Sequence, residues 1–458
     1  MSALRGMVGP RMADRPNAAN RRYAAAASGG PPASVTESSG DGRRIRVEWS
    51  RWHIGLPRDL IEILWLFVTL RVAISLFGVL LWFTNGLPGP CHFELARDGW
   101  TLFPPLDNQG AAFPLVGVWQ RWDACWYTNI ATNGYAIDNA VNFWPLFPAL
   151  TAIVGRLIGG DMALGGIIVN SVAYVVGMVG LLRLVQLDFG RRVASRTVLF
   201  LSVFPTAFFL LAPFTEAVFL AGAVWAIYAA RQRRWVLAAA AGILAGTARI
   251  QGVFLVLPVG WEALMAWRSA PDIQASQSIM HERLRRLSRW WTLSWRELVL
   301  PPVAVIAPAV GFLAFFAFAA AVAGQTPLDT QDAWGGKNFH PPWDVVVASW
   351  NWALDRHDLL QLINLGSLLL FGVGVIVGLF RLPATYSLYA APQILLLATR
   401  IQPTPLTSTA RYVLVIFPVF VLLALAGRNR RFERAWLLLS VLLMSYLLGM
   451  FLRGDYVA

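Results

Sequence analysis

Apolar runs of about 20 residues recur from Leu60 to the end of this chain, beginning with LIEILWLFVTLRVAISLFGVLLWF at Leu60–Phe83. A helix of that length reaches about 30 Å, the thickness of a bilayer's hydrocarbon core. In lipid the backbone must satisfy its own hydrogen bonds, which leaves helices or a closed barrel, and the short alternating strands of a barrel are missing from the pattern. The expected fold is therefore all-α, a polytopic bundle of about eleven spans. Composition agrees: of 458 residues, 57% are hydrophobic and 14% charged, with mean hydropathy +0.55. A soluble domain would be about 25% charged.

The net charge of +13 raises nucleic acid as a partner, but the Arg clusters are short and lie between apolar segments. Retention of basic residues on the cytoplasmic side explains them, so no nucleic-acid partner is expected and membrane lipids are.

Residues 1–47 are rich in Ala, Gly, Pro, Ser and Arg and poor in large apolar side chains. They read as a disordered cytoplasmic tail ahead of one membrane domain, 48–458. Arg43, Arg44, Arg46, Arg51 and Arg58 place the N-terminus inside, which puts a loop at about 84–163 outside. Within that loop, Asn142–Ile158 is apolar but short and holds Pro145 and Pro148, so it reads as re-entrant or interfacial. A span at about Leu164–Leu187 runs inward to Arg191, Arg192 and Arg196; hairpins over Thr197–Ala230 and Trp235–Trp267 then turn outside at APFTEA and ARIQG and return to basic loops, the longest at about 268–298. Further spans are expected at Val299–Ala323, Leu359–Phe380, Pro383–Ala398, Arg411–Ala426 and Ala435–Leu452, with a second external loop at about 324–358. Cys91 and Cys125 both fall in the first external loop, where either a disulfide or two free thiols is permitted.

The candidate chemistry gathers on the external side. In QRWDACWYTNIATNGY, Gln120–Tyr135, Trp122 and Trp126 suit the membrane–water interface, while Asp123 and Tyr127 share a helix face at i,i+4 spacing. The pattern allows a structural interfacial helix with a solvated acid, or a general base at the bilayer surface. Glu216 is the lone carboxylate in a long apolar hairpin, a costly residue unless it sits at the turn or in a wet cavity. Arg249 and Arg411 mark outer ends of spans, where a guanidinium either snorkels to headgroups or grips a phosphate. The loop GQTPLDTQDAWGGKNFHPPWD offers Trp334 as a sugar-stacking face and His340 as an acid or base near neutral pH. No Walker loop, HExxH or Cys-rich metal pattern occurs.

RWDACWYTNIATNGY followed by NFWPLFPAL resembles the PIG-V family of mannosyltransferases, of the GT-C superfamily of polytopic glycosyltransferases. FPTAFFLLAPFTEAVFLAGA, AGTARIQG and RYVLVIFPVF resemble later family segments in the same order. The resemblance covers roughly Trp65–Ala426; the tail and the insertion near 268–296 match no part of it. It implies a GT-C-type bundle that transfers mannose or a related hexose, with inversion, from a polyprenyl-phosphate carrier to a lipid-linked or glycolipid acceptor on the non-cytoplasmic face. Asp123 is then the expected base, and Arg249 and Arg411 face the leaving phosphate. Glu216, Tyr127, Trp122, Trp334 and His340 serve the substrates. No cofactor is implied, and a divalent metal stays open. The near-exclusive use of Arg over Lys suggests a GC-rich bacterial genome and a plasma-membrane setting. A transporter of lipid-linked sugar, or a noncatalytic scaffold, is the alternative. A flippase needs ionisable residues along several mid-membrane spans, whereas here they collect on one side.

Overall fold

The computed structural model describes residues 57–94, 99–101, 112–135, 139–268, 295–330, 339–399, 401 and 404–457. The expected tail and most of the long basic loop lie outside them. Among the described residues the chain is helical, apart from a two-stranded antiparallel ribbon that pairs His92–Glu94 with Gly99–Thr101.

The helices are α1 (Arg58–Asn85), α2 (Asp123–Asn133), α3 (Leu146–Leu157), α4 (Met162–Phe189), α5 (Arg191–Ser202), α6 (Glu216–Arg231), α7 (Trp235–Ala248) and α8 (Val256–Arg268). There follow α9 (Trp295–Ala323), α10 (Pro342–Arg356), α11 (Leu359–Arg381), α12 (Ala384–Ala398), α13 (Thr409–Tyr412), α14 (Phe417–Ala426) and α15 (Arg430–Leu452).

Six of the described helical segments are long and apolar enough to cross a membrane: Arg58–Thr84, Met162–Phe189, Ile250–Arg268, Leu298–Ala323, Leu359–Arg381 and Arg430–Leu452. A seventh would be Thr409–Val415 with Phe417–Ala426, bent by 83°. The chain is thus an integral multi-pass membrane protein; among the described residues six or seven segments have the length and composition of a span, which does not confirm the expected eleven. Four expected spans are shorter helices: α5, α6, α7 and α12 have 12, 16, 14 and 15 residues. At 1.5 Å per residue they reach about 18–24 Å, less than the hydrocarbon thickness. Hydropathy alone reads any apolar stretch as a span. Here the missing length is irregular backbone buried in protein rather than lipid, as residues 203–215 show.

Non-helical backbone survives at that depth only where protein supplies its hydrogen bonds. The Arg71 guanidinium of α1 donates to the Leu211 carbonyl at 3.0 Å, and Asn170 of α4 donates to that of Ala212. Small residues bring other backbones together. A Cβ on Gly246 of α7 would collide with the Pro308 carbonyl of α9, so these two helices pack closely because Gly stands there. The 12-residue α3 agrees with the re-entrant or interfacial reading of Asn142–Ile158.

Ion pairs define one end of the bundle. Arg191, which opens α5, pairs with Asp59 and Glu62 at the start of α1; Arg196 pairs with Glu433 in the first turn of α15 at 2.9 Å; Arg231, ending α6, pairs with Asp188 near the end of α4. Glu216 opens α6, about 22 Å from Arg231 at helical rise. Arg231 and Glu216 therefore sit at opposite ends of the same helix.

Candidate active site

Asp123 is the first residue of α2, because the chain turns sharply before it. Trp122 has φ 52°, a left-handed value rare for a bulky side chain. Arg121, just ahead, is fully buried and donates to carbonyls at both its sides: Leu452 O at 3.0 and 3.2 Å, Gly89 O at 2.7 Å and Pro88 O at 2.8 Å. Burial pushes its guanidinium down to about 9, which leaves it charged at neutral pH. Cys91 and Cys125 are joined by a disulfide, their Cα atoms 6.3 Å apart, tying the preceding loop to α2. Trp126 stacks on Phe143 at 5.0 Å and Tyr127 meets Phe147 edge-on at 5.1 Å, fixing the far side of the helix.

Arg411 is set by a different device. The loop before it holds Leu406 and Ser408 at φ 55° and 63°. The backbone of Ala410 is clamped from both sides: its N–H donates to Asn364 Oδ1 at 2.9 Å, and its carbonyl accepts from Thr206 Oγ1 at 2.6 Å. Arg249 follows the last turn of α7, where a tight 3-10 turn reverses the chain. Gly252 is required there, because a Cβ would collide with the Ala245 carbonyl.

These segments bring four charged side chains together. Arg411 Nη1 donates to Asp123 Oδ2 at 2.8 Å, and its Nε lies 3.1 Å from Glu216 Oε1. The same Glu216 oxygen pairs with Arg249 Nη1, which also donates to Thr215 Oγ1 at 3.0 Å; Arg249 Nε donates to Gln251 Oε1 at 3.2 Å. Glu216 is fully buried, and its other oxygen, Oε2, has no hydrogen-bond partner among the described residues. Both guanidiniums lie against the Tyr412 ring, 4.9 Å from its centroid for Arg411 and 5.1 Å for Arg249. Two cations and two anions balance, so the cluster is near neutral before any ligand arrives.

Asp123, Arg249 and Arg411 line a cavity of about 490 Å³, and Glu216 stands behind it. Trp122 and Tyr127 line it too. Burial, with the Asp123 carboxylate nearby, pushes the Tyr127 phenol well above its ordinary value, so it stays a protonated donor. The cavity has two characters. Thr404, Thr407, Ser408 and Thr409 line it on one side, while Phe316, Leu328, Leu396 and Leu397 give an apolar wall. Among the described residues, no three His, Cys, Asp or Glu side chains form a metal-binding set.

Of the residues expected from sequence, Trp334 lies outside the described segments. His340 does not line this cavity; its backbone N–H donates to Thr399 O at 2.8 Å, beyond the end of α12. Thr215, Gln251, Ser408, Tyr412 and Tyr456 are site residues that sequence reasoning missed. Gln251 and Tyr412 sit beside the selected arginines and carried a proximity signal; Tyr456, near the end of the chain, carried none.

Residues 61–261 match the family described as Mannosyltransferase (PIG-V). This segment is similar to the PIG-V mannosyltransferases. It contains Asp123, Glu216 and Arg249, whereas Arg411 and Tyr456 come from beyond the PIG-V match. A curated relative, GPI mannosyltransferase 2 of Cryptococcus neoformans var. neoformans serotype D (strain JEC21), is 33% identical over 145 residues, covering 29% of this chain and 34% of that protein. The same protein from strain B-3501A gives the same figures. The chain thus spans about a third of the length of these relatives. Among solved structures, the oligosaccharyltransferase of Archaeoglobus fulgidus, tethered to an acceptor peptide, is 13% identical with a TM-score of 0.42. That alignment covers 85% of this chain and 55% of the other. At that score the likeness is distant, and the fold rests on the chain's own helices.

Proposed function

We propose that this chain is an inverting hexosyltransferase of GT-C type. It moves mannose, or a related hexose, from a polyprenyl-phosphate carrier to a lipid-linked or glycolipid acceptor. The observation that carries the reading is the convergence of Asp123, Arg249 and Arg411 on one cavity, with buried Glu216 joining the two arginines.

In the transfer, an acceptor hydroxyl oxygen attacks the anomeric carbon while the bond from that carbon to the carrier phosphate oxygen breaks. The hydroxyl proton passes to the Asp123 carboxylate, and a single displacement inverts the anomeric centre. The carrier phosphate enters with one negative charge and leaves approaching two, so guanidinium donors stabilise the transition state more than the ground state. Arg249 and Arg411 are those donors. Arg411 spends the resting state on Asp123, and the arriving phosphate competes for it, freeing the carboxylate as the sugar is seated. The step as written draws on side chains alone.

The polyprenyl chain suits the apolar wall of Phe316, Leu328, Leu396 and Leu397. The basic ends of α5 and α6 lie opposite the site, which supports a non-cytoplasmic active face under the positive-inside rule. The predominance of Arg over Lys supports a bacterial plasma membrane.

The test is transfer from radiolabelled mannosyl-phosphopolyprenol in membranes containing the full chain. Asp123→Asn should express normally and lose about 10²–10⁴-fold in rate. Wild-type rates in that variant would remove Asp123 from the chemistry, and movement of the labelled lipid without bond cleavage would favour a transporter.

A further inference from the structure

Trp122 and Tyr456 meet edge-on, with ring centroids 5.0 Å apart and planes at 83°, and both line the cavity. Trp122 immediately precedes Asp123; Tyr456 lies beyond α15, more than 300 residues later. The segment after α15 is held where it is by several bonds. Trp122 Nε1 donates to Asp455 O at 3.1 Å, the Tyr456 hydroxyl shares a 2.9 Å hydrogen bond with Ser408 Oγ, and Val457 is fully buried. A non-glycine residue in a strained backbone region is costly and persists only where its surroundings over-determine it. Trp122, at φ 52°, is such a residue, and this segment packs against its indole.

Two aromatic planes at right angles make a corner. A pyranose ring has an apolar C–H face that stacks on an aromatic ring and a hydroxyl edge that seeks polar partners. The corner supplies the rings, and Asp123, Ser408 and Arg411 line the same cavity beside it. A lipid tail has no use for that polar border, and the cavity offers one an apolar wall elsewhere.

We infer that Trp122 and Tyr456 form a clip for the pyranose ring that reacts beside Asp123, which makes residues 453–457 part of the site. This rests on the glycosyltransfer reading above. The ring belongs to the donor or to the acceptor, and the chemistry of recognition is the same.

The experiment uses the full chain in detergent and three measurements: the dissociation constants of mannosyl-phosphopolyprenol and of sugar-free polyprenyl phosphate, and the KM of a mannosylated phosphatidylinositol acceptor. If the clip holds the donor sugar, Tyr456→Leu weakens mannosyl-phosphopolyprenol about tenfold, the scale of one aromatic contact, and leaves polyprenyl phosphate unchanged. If it holds the acceptor sugar, both lipid affinities stay and the acceptor KM rises about tenfold with kcat retained. Tyr456→Phe keeps the ring and is expected to be clearly less impaired than Tyr456→Leu in either case.

The inference is overturned if Tyr456→Leu changes none of the three, or if Tyr456→Phe is as impaired as Tyr456→Leu, which would make the Ser408 hydrogen bond the operative feature. Where Tyr456→Leu does not fold, Trp122→Phe is measured instead. It narrows one face of the corner, and a wild-type response on all three measurements again overturns the inference. A wild-type protein that binds neither phosphate lipid defeats the glycosyltransfer reading itself, a distinct result.

Discussion

Arg411 Nη1 donates to Asp123 Oδ2 at 2.8 Å, across 288 residues of sequence. The two arrive from unlike structures, a sharp turn into α2 and a strained loop before α13, and a third residue makes their meeting useful. Glu216 takes the opposite edge of the same guanidinium, so Arg411 is fixed between an acid that is fully buried and one that opens on the cavity.

Arg411→Lys should therefore not substitute for arginine. A lysine carries the charge but offers one ammonium, whereas the guanidinium presents separate edges to Asp123 and Glu216 at once. Transfer in Arg411→Lys should fall by about 10²-fold, the scale for losing one preorganised donor at developing charge. The affinity for sugar-free polyprenyl phosphate should fall with it. Wild-type transfer by the lysine variant would show that charge alone suffices.

Glu216 is expected to matter first for stability. Removing one partner of a buried ion cluster leaves uncompensated charge and costs about 3–5 kcal/mol. Glu216→Gln leaves Arg249 and Arg411 facing each other across a neutral amide at a fully buried position. Thermal unfolding in detergent should show a clear drop in Tm, and added polyprenyl phosphate should restore part of it by supplying the missing negative charge. An unchanged Tm would mean that the two cations are screened by something other than Glu216.

How much of this was legible beforehand divides by the range of the interactions. Asp123 and Tyr127 were readable as one face because i,i+4 spacing is local. Glu216, Arg249 and Arg411 stood out because ionisable residues are rare in apolar runs. Their mutual pairing was not readable, since it depends on how α6, α7 and α13 meet. The expected spans at α5, α6, α7 and α12 are shorter helices for a related reason: an apolar stretch looks the same whether lipid or protein surrounds it. Tyr456 was invisible, because a tyrosine after a final helix carries no local mark of the Trp122 ring it meets.

Arg121 illustrates the same limit and gives another prediction. Next to Asp123 in sequence, it donates to the distant Leu452, Gly89 and Pro88 carbonyls. At Leu452 it meets the C-terminal end of α15, where exposed carbonyls and the helix dipole favour a cation. Arg121→Ala should loosen that end, seen as faster proteolysis after residue 452 and a lower Tm. Unaltered proteolysis of this segment would argue that Tyr456 and Val457 hold it without help.

The disulfide supplies the last test. Cys91 and Cys125 are 34 residues apart in sequence, and closing a loop of that length stabilises a fold by roughly 3–4 kcal/mol on the chain-entropy account. The stabilisation falls on α2, since Cys125 is in its first turn, two residues beyond Asp123. Reduction, or the paired Cys91→Ser and Cys125→Ser change, should lower Tm and reduce transfer, while leaving affinity for polyprenyl phosphate largely intact. That asymmetry follows from geometry: Arg249 and Glu216 are carried by α7 and α6, outside the bridged segment, whereas Asp123 is inside it. Alkylation before reduction should label neither cysteine in the native protein. Labelling of both would dissolve the bridge, and an equal loss of phosphate binding would show that α2 and the arginine cluster are ordered as one unit.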